Sequence, residues 1–329
     1  MLLDNFDSLL LDLDGVVYRG KRAIEGAVES INRAQSLGKR IGYITNNASR
    51  SPGAIASQLQ ELGLDASAEQ IIGSAAAAAK MLAARIEPGS KVLVVGGEGL
   101  RSEVSARGFE IVSSSDEKPV AVVQGFSPEI GWPDLAEASF AIQQGAIWIA
   151  TNQDWTLPLE RGIAPGNGTL VGAVHTAVGI LPDFAGKPFR PIFDAAIEQL
   201  GVTRPLMIGD RLDTDIKGAI AAGIPSATVF TGITSNKELL GAKSDERPNF
   251  ILNDLSDLFE NYTEPVDTKR GSRCGSSEVE LLGDKVILIA GNPSSVQTIR
   301  AATHLIWTSG RPIYGLQVDP ELLGAANGR

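Results

Sequence analysis

Two carboxylates separated by one residue follow a short apolar run, Leu9-Leu10-Leu11-Asp12-Leu13-Asp14-Gly15. Residues i and i+2 of an extended chain face the same side, so Asp12 and Asp14 are expected close together at a strand end. Like charges that close need a cation or a shared proton. Gly15 lets the chain turn away without a side-chain clash. Other polar groups stand at comparable points: Thr45 and Asn46 after the apolar stretch 40–44, Asp210 after 205–209, Asp215 about one helical turn later, and Lys187 at the start of a helix. A parallel sheet gathers such residues at one edge. Several carboxylates with further oxygen donors make a hard-cation site suited to Mg²⁺. A lysine, a threonine hydroxyl and backbone amides make an anion site. Metal, anion site and a carboxylate nucleophile together are the equipment of phosphoryl transfer.

The elements that must position these groups are legible in order. A strand over 9–11 precedes a helix over 25–37, which stops at Gly38 as a residue just past a helix end. A strand over 40–44 is followed by a helix over 52–62, with Ser51 as N-cap and Pro52 in its first turn. Alternation of strand and helix predicts an α/β, doubly wound parallel sheet. Residues 79–183 read as a separate α/β unit, with strands at 91–95, 120–123 and 146–150, a helix at 132–143 and a Gly/Pro-rich segment at 162–168. Gly96-Gly97-Glu98-Gly99 lacks the third glycine of a dinucleotide fingerprint at the required offset and reads as a plain β–α turn. The first pattern resumes with a helix at 191–200, a strand at 205–209, a helix at 214–222 and a strand at 226–230. Polar residues 263–277 read as a linker, and 285–290, 294–308 and 313–318 as a small β-α-β unit. The expected domains are therefore 1–78 and 184–262 as a core, 79–183 as an inserted cap, 263–277 as a linker and 278–329 as a small C-terminal α/β domain.

Composition narrows the function classes. The chain has 329 residues, 43% hydrophobic and 21% charged, with a formal net charge of −10. That balance argues against broad nucleic-acid binding and against anionic membranes. The single cysteine, Cys274, excludes an intrachain disulfide framework and a Cys-rich zinc site. The first ten residues carry two Asp and no basic residue, unlike a secretion signal, and no apolar run approaches a membrane span, so a cytoplasmic protein is expected. His175 and His304 stand apart from other metal-ligand residues and read as structural.

Asp12-Leu13-Asp14-Gly15, Thr45-Asn46-Asn47, Lys187 and Gly209-Asp210-Arg211-Leu212-Asp213-Thr214-Asp215 resemble the four ordered motifs of the haloacid dehalogenase (HAD) superfamily. Asp14 points to its phosphatase branch. The roughly 140 residues between Thr45 and Lys187 resemble the type C2 cap of the NagD-like branch. So does the pattern Ala150-Thr151-Asn152-Gln153-Asp154, Pro158, Gly162, Pro165-Gly166-Asn167-Gly168, Gly186-Lys187-Pro188. The resemblance covers residues 1–262. It implies that Asp12 attacks phosphorus to give an aspartyl-phosphate, and that Asp14 is the general acid and then the base. It implies Mg²⁺ held by Asp12, the Asp14 carbonyl and Asp210, with Asp215 orienting ligands or metal waters. Thr45, the Asn46 amide and Lys187 would hold the phosphoryl oxygens. Asp213 reads as a helix-start carboxylate favoured by the dipole.

The expected partner is a small phosphorylated metabolite, since a large cap excludes bulky leaving groups. The similarity is greatest to the glycerol-3-phosphate phosphatase group with an extra C-terminal domain, described as a partial acetyltransferase-like fold. 2-Phosphoglycolate, nucleotides and sugar phosphates are the alternatives. Asn152, Asp154 and Arg161 are candidates to meet the leaving group. For residues 278–329 a structural or self-association role is expected, leaving a homo-oligomer open. The rival of another class is a non-catalytic module that senses a phosphorylated metabolite.

Overall fold

The computed structural model describes residues 1–159 and 161–324. They form two compact units, 1–40 with 204–329, and 41–203.

In the first unit four parallel strands stand in the order Phe250–Leu252, Ser226–Val229, Pro205–Gly209, Ser8–Asp12. Leu9 is in register with Leu206, Ile208 with Ala227, and Thr228 with Ile251. Parallel strands covered on both faces read as unbroken apolar runs, and residues 8–11 and 205–209 are buried throughout. The helix Ala27–Ser36 packs against the turn Leu255–Phe259. Gly38, at φ +80°, supplies the left-handed residue that ends it. The helix expected at 214–222 differs. A wide π-helical turn, Leu212–Ile216, precedes the α-helix Lys217–Ala222, because the amides of both Asp215 and Ile216 bond to the carbonyl of Arg211.

Residues 263–277 are not a linker. They carry two strands, Val266–Asp267 and Gly271–Cys274, of a five-stranded sheet completed by Ser277–Leu282, Lys285–Ala290 and Gln317–Val318. The first four strands are antiparallel neighbours and the last pairs in parallel, with the helix Val296–Thr308 across one face. The polarity of Gly271-Ser272-Arg273-Cys274 concealed a strand. Ser272 and Cys274 face inward and are buried, and a β-carbon on Gly271 would lie 1.9 Å from the carbonyl oxygen of Val279. Cys274 is thus a buried strand residue that donates to the carbonyl of Thr263. Nor is this segment tethered loosely. Arg300 is buried, donates to the carbonyl of Ile251 at 2.8 Å and lies 4.0 Å over the ring of Tyr262. Burial pushes the Tyr262 hydroxyl up to about 12.

In the second unit Arg40–Thr45 and Ile71–Gly73 pair in parallel, with helices Pro52–Glu61, Ser74–Ala83 and Arg190–Leu200. Ser51 caps the first of these, accepting from the amide of Ala54 at 3.3 Å. A five-stranded parallel sheet follows, ordered Asp183–Phe184, Ile147–Ala150, Ala121–Gln124, Lys91–Val95, Glu110–Val112. Helices Trp132–Gln143 and Asn167–Val178 pack on each other, and their residues share an apolar cluster with the sheet through Val122, Trp148, Ala141 and Val174. The Gly/Pro-rich segment at 162–168 is more ordered than its composition suggests. Thr156–Leu159 and Gly162–Pro165 form an antiparallel hairpin, which tolerates proline because both its edges are outer edges. Gly97 caps Glu98–Ala106, and a β-carbon on Gly99 would lie 2.8 Å from the carbonyl oxygen of Ala48. The glycines at 96–99 thus serve close packing. Helix Ser74–Ala83 packs on both Glu98–Ala106 and Arg190–Leu200, binding the expected cap to part of the expected core.

Among the described residues no helix is long and apolar enough to cross a membrane.

Candidate active site

The first unit brings three carboxylates together. Asp12, Asp210 and Asp215 each present an oxygen, and these oxygens lie within 4.8 Å of one another. Asp12 is half-buried at the end of its strand, and Asp210 and Asp215 are buried. Their convergence follows from register: strands Ser8–Asp12 and Pro205–Gly209 run side by side and end together. Asp215 comes in from the π-helical turn. Its Oδ2 accepts from the amide of Arg211 at 3.1 Å, and the chain can fold back so far because Gly209 has no side chain. A β-carbon on Gly209 would stand 2.2 Å from that of Asp215. Asp213 points elsewhere. Burial raises its pKa, but the hydrogen bonds and charge of Arg211 outweigh that and hold it below the usual carboxylate range.

Asp14 lies outside this cluster and is exposed. It sits on a tight turn in which the carbonyl of Leu13 accepts from the amides of Val17 and Tyr18 at 2.9 and 3.1 Å, and the amide of Gly15 donates to the carbonyl of Tyr18. Its backbone is therefore fixed while its carboxylate faces outward.

A loop that the sequence did not single out holds Asp210. The amide of Ile233 donates to Asp210 Oδ2 at 2.8 Å, and the amide and hydroxyl of Thr234 donate to its carbonyl. Thr231 donates to the carbonyl of Gly15 at 2.6 Å, and Arg19 to the carbonyl of Thr231. A β-carbon on Gly232 would lie 1.8 Å from Asp210 Oδ2, and one on Gly15 would lie 2.2 Å from the same atom. The signal was Thr231-Gly232 directly after a strand of the same sheet. Gly232→Ala is expected to displace the Asp210 carboxylate. It should weaken divalent-cation affinity by about tenfold or more, as losing the support of a metal ligand does. A thermal-shift titration with Mg²⁺ against wild type measures this.

In the second unit Thr45, Asn46 and Lys187 meet. Thr45 is buried, and its hydroxyl accepts from the amide of Asn47 at 3.1 Å. Asn46 brackets the Lys187 backbone: its Oδ1 accepts from the Lys187 amide at 2.8 Å and its Nδ2 donates to the Lys187 carbonyl at 3.0 Å. Gly186 makes room, since a β-carbon there would lie 2.5 Å from Asn46 Oδ1. Lys187 is 3% exposed, and its Nζ lies 3.4 Å from the carbonyl oxygen of Ile44. A lysine that buried is not the solvated residue that usually starts a helix. Asn152 and Asp154, candidates to meet a leaving group, both bond to Asn46: Asn152 donates to its carbonyl at 2.8 Å, and Asp154 accepts from its Nδ2 at 3.2 and 3.3 Å. Arg161 is exposed. His175 and His304 make surface contacts, to the carbonyl of Ile180 and the carboxylate of Asp267.

The three-carboxylate donor set suits a hard divalent cation such as Mg²⁺. The comparisons with known proteins agree with this chemistry. Residues 9–110 match the haloacid dehalogenase-like hydrolase family and residues 184–258 a HAD-hydrolase-like family. The D-glycerol 3-phosphate phosphatase of Mycobacterium tuberculosis is 46% identical over 310 residues, 90% of this chain and 87% of that protein. The chain belongs to the haloacid dehalogenase-like hydrolases. An acid sugar phosphatase of Staphylococcus saprophyticus is 35% identical over 259 residues, 78% of this chain and 98% of that protein. Among solved structures, the glycerol phosphate phosphatase from M. tuberculosis in complex with magnesium matches with a TM-score of 0.87 and 39% identity, over 97% of this chain and 94% of that one. As a HAD-like hydrolase, the chain has the expected α/β fold with parallel sheets, and that solved relative carries the expected metal.

Proposed function

We propose that this hydrolase is a Mg²⁺-dependent phosphatase that converts glycerol 3-phosphate to glycerol and phosphate. The observation that carries the chemistry is the convergence within 4.8 Å of oxygens from Asp12 and Asp210, at strand ends, and from Asp215, on the π-helical turn. Support for the substrate comes from the 46% identical relative, whose likeness spans 90% of the chain. The 35% identical acid sugar phosphatase favours a second reading, a sugar phosphate.

Asp12 is the nucleophile. Its ionised carboxylate attacks phosphorus, forms an aspartyl-phosphate and expels the alkoxide. Asp14, exposed on its rigid turn, gives that alkoxide a proton. It then takes one from the water that attacks the aspartyl-phosphate, releasing inorganic phosphate and restoring Asp12. Thr45, the Asn46 amide and Lys187 hold the phosphoryl oxygens while charge shifts between them. Asp12, the Asp14 carbonyl and Asp210 would hold the cation, and Asp215, in the same cluster as Asp12 and Asp210, would orient the ligands or the metal waters. When bound, Mg²⁺ offsets the repulsion between the Asp12 carboxylate and an anionic phosphoryl group.

Phosphate release across a panel of small phosphomonoesters, with Mg²⁺ and with EDTA, tests the reading. A preference for glycerol 3-phosphate is expected. A preference for sugar phosphates would select the second reading. Mg²⁺-dependent release from no ester would overturn both.

A further inference from the structure

We infer that Asp154 is a positioning residue for Lys187, acting through the side-chain amide of Asn46. This rests on the reading of Lys187 as a phosphate-binding group.

The geometry is a relay of three residues. Asn46 has one amide oxygen and two N–H donors. The oxygen and one donor are taken by the backbone of Lys187, at 2.8 and 3.0 Å. The remaining donor faces the Asp154 carboxylate, at 3.2 and 3.3 Å to its two oxygens. A carboxylate only accepts, so it admits Nδ2 on this side and fixes which way the amide is turned. The same orientation is the one that matches the amide and carbonyl of Lys187. Asp154 thereby holds Asn46 through the donor that the Lys187 backbone does not use.

Asp154 is itself held, so its carboxylate is more than a surface contact. Its amide donates to Asn152 Oδ1 at 3.1 Å, and its carbonyl accepts from the amide of Gly168 at 2.9 Å. Asn152 also donates to the carbonyl of Asn46 at 2.8 Å, and its own carbonyl accepts from Asn167 Nδ2 at 2.7 Å. Two glycines clear the way: a β-carbon on Gly166 would lie 2.2 Å from the carbonyl oxygen of Asp154, and one on Gly168 would lie 2.3 Å from that of Gln153. Residues 152–154 are thus locked to the first turn of helix Asn167–Val178. They pass that fixed position to Asn46, while Ser74 adds a hydrogen bond to the Asn46 carbonyl at 2.6 Å. The displacement as proposed uses Asp12, Asp14, Asp210 and Asp215 and gives Asp154 no step of its own. Its placement is explained by the need to hold the lysine backbone still.

Wild type, Asp154→Ala and Asp154→Asn are compared with Mg²⁺ in steady-state hydrolysis of a phosphomonoester, in product inhibition by inorganic phosphate and in calorimetric binding of inorganic phosphate. Asp154→Ala should raise KM and the phosphate dissociation constant together, by roughly tenfold, the effect of losing one charge-assisted hydrogen bond. The value of kcat should fall less. Asp154→Asn keeps an oxygen that can accept from Asn46 and should recover most of the loss. That recovery separates positioning from general destabilisation, and it is read at a temperature well below each variant's melting point. Unchanged phosphate binding in Asp154→Ala would overturn the inference, as would equal losses in both variants. Wild-type protein that binds inorganic phosphate but hydrolyses no ester would overturn the phosphatase reading alone, because the calorimetric comparison still tests the relay.

Discussion

Asp12→Asn should lose turnover by roughly 10⁴-fold or more, the scale of loss when an enzyme's nucleophile is removed. The two side chains have nearly the same size, but the amide is neutral and a poor nucleophile towards phosphorus. The fold has little reason to respond. Asp12 is the half-buried last residue of its strand, and the parallel register with the neighbouring strand is carried by residues 8–11. Circular dichroism and the melting temperature should therefore stay near those of wild type while phosphate release disappears. Brief reaction with ³²P-labelled substrate, followed by acid quench, should label wild-type protein on Asp12 and leave the variant unlabelled. A variant that turned over at the wild-type rate would remove Asp12 from the role of nucleophile.

The second large effect concerns the metal, and its sign differs between the two states of the protein. Three carboxylates within 4.8 Å repel one another when no cation is present. Asp210→Asn removes one of those charges and keeps an oxygen that can accept from the amide of Ile233. Without divalent cation this variant should melt at or above the temperature of wild type. With Mg²⁺ the order reverses. A ligand at 100 times its dissociation constant stabilises by about 2.7 kcal/mol, and wild type should gain this while the variant gains little. Activity should vanish in the variant, and in wild type on adding EDTA. Scanning fluorimetry with and without Mg²⁺ measures both halves. A variant that kept the wild-type Mg²⁺ shift would exclude Asp210 as a ligand.

The strand ends are legible because buried parallel strands write themselves as apolar runs, and the runs at 9–11, 40–44 and 205–209 each stop at a polar residue. Those stops put Asp12, Thr45, Asn46 and Asp210 at strand ends from the sequence alone. The approach of Asp215 to the other two carboxylates is not legible, because it depends on a π-helical turn and on the missing side chain of Gly209, neither of which has a periodic signature. Loop 231–234 carried too little pattern to stand out, although Gly232 is as tightly placed against Asp210 as any residue in the site. The bonds of the Asn46 side chain are not legible in the sequence, since its partners Lys187 and Asp154 lie more than a hundred positions away. The strands within 263–277 were missed for a simpler reason. Small polar side chains fill the space that apolar ones usually advertise.

Those strands also change what kind of thing the C-terminal segment is. Ile299, on its helix, is 2% exposed and packs in one cluster with Leu212, Ile216, Leu239, Ala242 and Ile251. A chain cut at residue 262 would open that cluster to water and strip Arg300 from the carbonyl of Ile251. An appendage seated in this way has become obligatory, because the surface beneath it has lost its solubility. Leu212 and Ile216 also begin and end the turn that carries Asp215. Selection acting on the tail's interior therefore acts on the scaffolding of the carboxylate cluster, and drift at Ile299 would be answered at the position of Asp215.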